Sequence, residues 1–243
     1  MAFWSRKKPV DPAQAKLAYL AQYTRGDYEL LSPYPGDIAG IPDSWDRLLG
    51  LPRAERVEAV LALWDGVVAQ AMSNTIAYLH THLRDVDLLR VQDQYLLLYT
   101  IASTGSDDTA YYAGGNPLTP NFAANTRLAD DWARAPERLR AFYAELHNGF
   151  YHYSSESAGP LPLSGVCAMN SIEWGILETL DAPVAFDLES SYAFFSNGGG
   201  GYVVIDLANA DADKATLFWT DEPPVYDQKF WDLVDEWTVI GFG

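Results

Sequence analysis

The sequence predicts an α+β fold, with a mainly antiparallel sheet flanked by helices and preceded by a helical N-terminal region. Three observations predict it. Apolar residues recur at three-and-four spacing through much of the first half. Short aromatic or β-branched runs separated by turn residues follow in the second. The last segment, 227–238, returns to helical spacing. Helices, then an antiparallel meander, then a helix is an α+β order and not the alternation of a parallel sheet. With 243 residues, 49% of them apolar and 20% charged, the chain can bury a sizeable core in one large domain or two small ones.

In chain order, residues 11–22 predict a short helix, and a Pro/Gly/Tyr-rich loop follows to Pro42. The clearest helix begins near Ala54. Val57, Val60, Leu61, Trp64, Val67, Val68, Ala71, Met72, Ile76 and Leu79 share one face, while Glu55, Glu58, Asp65, Gln70 and Asn74 line the other. A second element covers residues 88–102, in which the run Tyr95 to Ile101 is apolar on nearly every side. Its length favours a buried helix, with a strand as the alternative for LLLYTI. Gly105, Gly114, Gly115, Pro117 and Pro120 mark 103–125 as a long loop and set a boundary there, with regions 1–115 and 116–243.

Beyond it, 126–135 is helical in pattern, and Pro136 restarts a helix at its first turn. Leu139, Phe142, Tyr143 and Leu146 form that helix's apolar face, and Asn148-Gly149 reads as a left-handed cap. AFDLE (185–189), SYAFFS (191–196), GYVVIDL (201–207) and KATLFWT (214–220) predict strands. The glycine run 198–201 is a turn between two of them. A phosphate loop would continue into Lys-Ser/Thr and a helix, and this run continues into YVVIDL.

Charge is lopsided. The net charge is −17. Residues 1–140 carry 14 basic side chains against 17 acidic, whereas 141–243 carry only Lys214 and Lys229 against 16 acids. Such a chain repels nucleic acid and anionic membranes and attracts basic partners. Cys167 is the one cysteine, so no internal disulfide and no thiolate zinc site can form. The start, MAFWSRKKPVDP, lacks the apolar core of a secretory signal, and no run approaches the roughly 20 apolar residues of a membrane helix. A reducing cytoplasm is the expected location. The Arg6-Lys7-Lys8 run reads as a solvated charge cluster.

No motif assembles a reaction centre. His80-x-His82 beside Asp85 and Asp87 suggests a metal, but helix residues two apart do not face each other. His147 sits at a helix end, where the dipole favours a cation. Cys167 lies in apolar GVCAMN, the setting of an inert packed thiol. G-x-S-x-G is absent. The expectation is a binding protein without catalytic residues, cofactor or metal. The expected partner-binding residues lie near strand ends and loops of the acidic half: Asp187, Glu189, Asp206, Asp211, Asp213, Asp221, Glu222 and Asp227, with Tyr192, Trp219 and Tyr226 as aromatic anchors.

Three stretches resemble a known family. ERLRAFYAELHNGFYHY (137–153) is similar to the opening of SUKH domains, where a helix runs through an Asn-Gly turn into the first strands. SYAFFSNGGGGYVVIDLANADADKATLFWTDEP (191–223) resembles their centre, and VIGFG (239–243) their close. The resemblance covers about 120–243; residues 154–180 depart from it, and 1–115 lie outside it. It implies an antiparallel sheet with helices to one side and no catalytic residues. Bacterial SUKH proteins are commonly immunity proteins that bind a cognate toxin domain, often a nuclease. The resemblance therefore implies a toxin with a basic surface as the partner, a regulatory or scaffolding partner being the alternative and a hydrolytic enzyme a third.

Overall fold

Where the sequence predicts one long helix after Ala54, the computed structural model has two. It describes residues 11–104, 108–122, 125–211 and 214–243. Helix α3 (Arg53–Val68) stops where the amides of Ala71 and Met72 both turn back onto the Val68 carbonyl, and α4 (Ser73–His82) starts afresh. The new N-terminus is capped from a distance. The carboxylate of Asp235, on the last helix α7 (Phe230–Gly241), accepts from the amides of Asn74 (2.9 Å) and Thr75 (2.7 Å). Two otherwise orphaned donors are thereby satisfied by a side chain 160 residues away.

The fold is α+β as expected, with seven α-helices among the described residues and two antiparallel sheets. The first sheet has the order β1-β2-β3-β4-β5. Its strands are β1 (Tyr28–Leu31), β2 (Leu83–Val91), β3 (Gln94–Ala102), β4 (Thr109–Gly115) and β5 (Phe150–His152). Residues 83–115 are therefore a three-stranded meander, not part of a helical region. In β3, Leu97, Tyr99 and Ile101 enter the central core while Leu96 and Leu98 enter a second cluster on the far face. Burial on both faces removes the period-two signal, which is why the run reads as a buried helix. Helix α1 (Pro12–Tyr23), with Asp11 as its N-cap, lies over that far face.

The second sheet has the order β11-β10-β9-β8-β6, with β7 also pairing β8. It comprises β6 (Gly159–Pro160), β7 (Cys167–Ala168), β8 (Ser191–Ser196), β9 (Gly201–Asp206), β10 (Lys214–Trp219) and β11 (Val225–Lys229). The glycine run closes the β8–β9 hairpin as expected, with Gly198 and Gly200 at positive φ. A bulge between Ala193 and Phe195 lets Phe194 and Phe195 both reach the central core. AFDLE is not a strand; it belongs to an irregular segment over the sheet's outer face. Strand β11, VYDQK, escapes the sequence reading because Asp, Gln and Lys are poor strand formers.

Helices α3, α4 and α7 fill the space between the sheets, together with α6 (Glu137–Ala141) and its π-helical continuation Phe142–Leu146. One continuous apolar cluster joins Trp64, Val86 and Tyr99 from the first half to Phe142, Phe194 and Trp231 from the second. The expected boundary at 115/116 thus falls inside a sheet whose last strand, β5, comes from the C-terminal region. The chain crosses between sheets just after β5, and glycine makes the crossing possible. Gly149 adopts φ +84° against Pro162, and a Cβ on Gly159 would stand 1.9 Å from the Phe150 carbonyl oxygen.

Candidate functional site

The acidic half presents many of its charges on the outer face and two ends of the second sheet, while Glu145, Glu156, Asp232 and Glu236 stand exposed elsewhere, on the π-helical turn, the turn after β5 and α7. Trp174, Ile176, Leu177, Phe186 and Leu188 of the irregular segment pack onto Ala193, Val204 and Phe218 of the sheet. The Trp174 ring lies 4.9 Å from that of Phe218, and its Nε1 donates to the Met169 carbonyl. With the apolar side turned in, Glu173, Glu178, Asp181 and Asp187 of the same segment stand exposed. Beside them Phe186, Asp206, Lys214, Tyr226 and Asp227 surround a hollow of about 300 Å³. The amide of Ala185 donates to the Tyr226 hydroxyl (3.2 Å), which ties the covering segment to β11.

The expected residues take different roles. Asp187 is exposed and accepts from the Glu189 amide. Glu189 pairs with Arg127 of α5 (Thr126–Asp131) at 2.8 Å, and Asp227 pairs with Lys214 at 3.2 Å. Asp206 is half-buried. Burial pushes its carboxyl up, but hydrogen bonds from Ser190, Asn209 and the amides of Ala208 and Asn209 together hold it below the usual carboxylate range. It therefore builds the turn after β9. Asp211, Asp221 and Glu222 are exposed, and Asp213 lies outside the described residues.

Two anchors are corrected by packing. Tyr192 is fully buried, and its hydroxyl donates to Asp131 at 2.7 Å; it is a core residue because β8 has both faces covered. Trp219 is half-buried against Trp237 of α7 (5.5 Å), on the inner side of the sheet. Tyr226 remains at the hollow. The acids also divide. Asp187, Glu189, Asp206, Asp211 and Asp227 cluster at the end where β9 leaves the sheet. Asp221 and Glu222 lie at the other end, beyond Trp219, a strand length of roughly 17 Å away.

The histidines are dispersed. His80 and His82 end α4, with the His82 ring 4.3 Å from Tyr78. His147 is fully buried and neutral, not a helix-end cation: burial drives it down to about 3. Its Nε2 meets the Tyr99 hydroxyl at 2.7 Å, and that hydroxyl accepts from Trp64 Nε1 at 3.1 Å. His152 Nδ1 contacts Ser155 Oγ at 3.1 Å within one turn, and burial lowers its pKa. Cys167 is half-buried, and burial raises its thiol. Among the described residues no group of three or more His, Cys, Asp or Glu is placed to hold a metal ion, and no helix is long and apolar enough to cross a membrane.

Sequence reasoning missed an ionic cluster on the first sheet. Asp85 and Asp87 belong not with the histidines but with Lys16 of α1 and with Arg53 and Arg56 of α3. Lys16 and Asp87 are nearly fully buried and directly hydrogen-bonded. A signal was present. Asp-x-Asp on a strand puts both carboxylates on one face, and Lys16 shares the buried stripe of its helix with Leu20.

Comparison with family models, with curated proteins and with solved structures finds no match to this chain.

Proposed function

We propose that this chain is a binding protein whose acidic second sheet seats a basic protein surface, and that the partner is the toxin domain which the SUKH resemblance implies. One observation carries the reading. Both cations of the acidic half are spent on exposed neighbours, Lys214 on Asp227 and Lys229 on Asp232. Glu173, Glu178 and Asp181 have no ion-pair partner among the described residues. Such a surface steers a cationic partner and selects against others. The hollow with Tyr226 at its wall offers a place for a basic side chain from the partner, and an aromatic anchor beside it. In this reading the chain neutralises by occupying its partner and makes or breaks no bond.

The test is co-expression with the variable C-terminal domain of a secreted toxin encoded beside this gene. The wild-type chain restores growth. Asp187→Lys with Asp227→Lys abolishes rescue, whereas Asp221→Lys with Glu222→Lys, at the far end, leaves it intact. All four side chains are exposed, and because Asp227 sits at φ +55° the melting temperature of each variant is measured beside rescue, unchanged melting with lost rescue being the expected result. Full rescue by the first pair refutes the charged face as the docking surface. Failure of the wild-type chain to rescue refutes the toxin reading.

A further inference from the structure

The ionic cluster borders a cleft of about 780 Å³ between α1 and the outer face of the first sheet. That volume lies within the range of small-molecule sites. Its floor is Asp85, Asp87 and Thr100, one wall carries Leu17 and Leu30, and Arg53 stands at the rim. Stability alone does not account for this construction. Removing an ion from water costs several kcal/mol, and apolar side chains of similar volume hold elements together at least as well as a buried ion cluster. Yet α1 devotes one of its two buried positions to Lys16.

Two features bear on what the cleft accepts. Arg53 is largely exposed and spends only Nε on the fold, donating to the Arg84 carbonyl and approaching Asp85, so its terminal nitrogens face the rim uncommitted among the described residues. Leu17 is 48% exposed, an apolar side chain on the cleft wall with little covering it.

The charges dictate the ligand class. The lining pairs Lys16 and Arg53 with Asp11, Asp85 and Asp87, so it selects neither a plain anion nor a plain cation. We infer that the cleft binds a small zwitterion with an apolar body, an apolar α-amino acid. Its carboxylate meets the Arg53 guanidinium, its ammonium the carboxylates of Asp11 and Asp85, and its side chain covers Leu17 and Leu30. This site lies on the first sheet, away from the acidic face, and stands independently of the proposed partner.

Calorimetric titration of the full chain with L-leucine tests it, with glycine, 4-methylpentanoate and 3-methylbutylamine as probes. Leucine binds saturably and at least about ten-fold tighter than each of the other three, the scale of one charge-assisted contact or one buried aliphatic group. Arg53→Gln weakens leucine about ten-fold but leaves 3-methylbutylamine unchanged. Leu17→Asp, at an exposed position that does not hold the fold, weakens every apolar probe. Absence of saturable leucine binding overturns the inference, as does equal affinity for the deaminated or decarboxylated probe, or indifference to both substitutions.

Discussion

Replacing Asp235 by Ala removes a helix cap that comes from another helix, and its cost can be worked from the structure. Asp235 is 4% exposed, and each of its oxygens accepts one amide of the first turn of α4. Truncation leaves two amide donors without an acceptor in a site with little access to water. An unsatisfied buried donor costs roughly 1–3 kcal/mol. The Asn74 end is partly solvated and Thr75 is fully buried, so the two together amount to about 3 kcal/mol. The carboxylate's favourable interaction with the helix N-terminus is lost as well, roughly 0.3–1 kcal/mol. At about 2–4 °C per kcal/mol for a chain of this size, the melting temperature falls by about 6–15 °C. Asp235→Asn keeps one carbonyl acceptor but turns an NH₂ toward the second amide, and it recovers less than half of the loss. Urea unfolding of the three proteins checks this, with equal m-values showing that the unfolded state is unchanged. An Asp235→Ala midpoint corresponding to less than about 0.5 kcal/mol, the level of ordinary surface substitutions, refutes the remote cap as the reason α4 begins where it does.

His147 gives a pH signature. Its folded value, about 3, lies below the ordinary 6.5, so as pH falls the unfolded chain takes the proton first. Its contribution to stability is complete above pH 6.5 and is lost at about 1.4 kcal/mol per unit below it, or about 2 kcal/mol by pH 5. Subtracting the pH 5–7.5 urea profile of His147→Gln from that of the wild type isolates this slope from His152 and the carboxylates; parallel profiles contradict it. Lys16→Met leaves Asp87 buried with only Arg56 nearby and costs about 3 kcal/mol, whereas Lys16→Met with Asp87→Leu regains at least half of that. Chemical denaturation of both variants decides it, and additive losses count against a coupled pair. Gly159→Ala drives a methyl into the Phe150 carbonyl and destabilises by about 3 kcal/mol or more, read as loss of soluble yield or of melting temperature; a neutral outcome contradicts the close approach of the two sheets.

How far the fold was legible follows from what each residue can signal locally. The β8, β9 and β10 strands, the glycine hairpin and α7 were readable because their apolar pattern, turn residues and length agree. The helix from Ala54 to Leu79 was readable as helix but not as two. The apolar stripe continues through Ala71 and Met72, and the cap that divides it comes from Asp235. The meander 83–115 was misread because a sheet covered on both faces has no alternation to show. Of the candidate site, the excess charge was legible from composition, and Tyr226 and the exposed acids emerge at the surface. Tyr192 was not legible as core. An aromatic residue on a strand looks the same whether it meets solvent or Asp131, and only the tertiary packing decides. Asp206 likewise reads as one more surface carboxylate until Ser190 and Asn209 are brought to it.

Hydrogen exchange of the backbone amides, compared between the free chain and its complex with the rescued toxin domain, tests the central proposal most directly. The acidic-face account predicts new protection over residues 176–190 and 225–229, with α1 and the first sheet unchanged. Protection confined to α1 and β1–β4, with the second sheet exchanging as in the free chain, contradicts it.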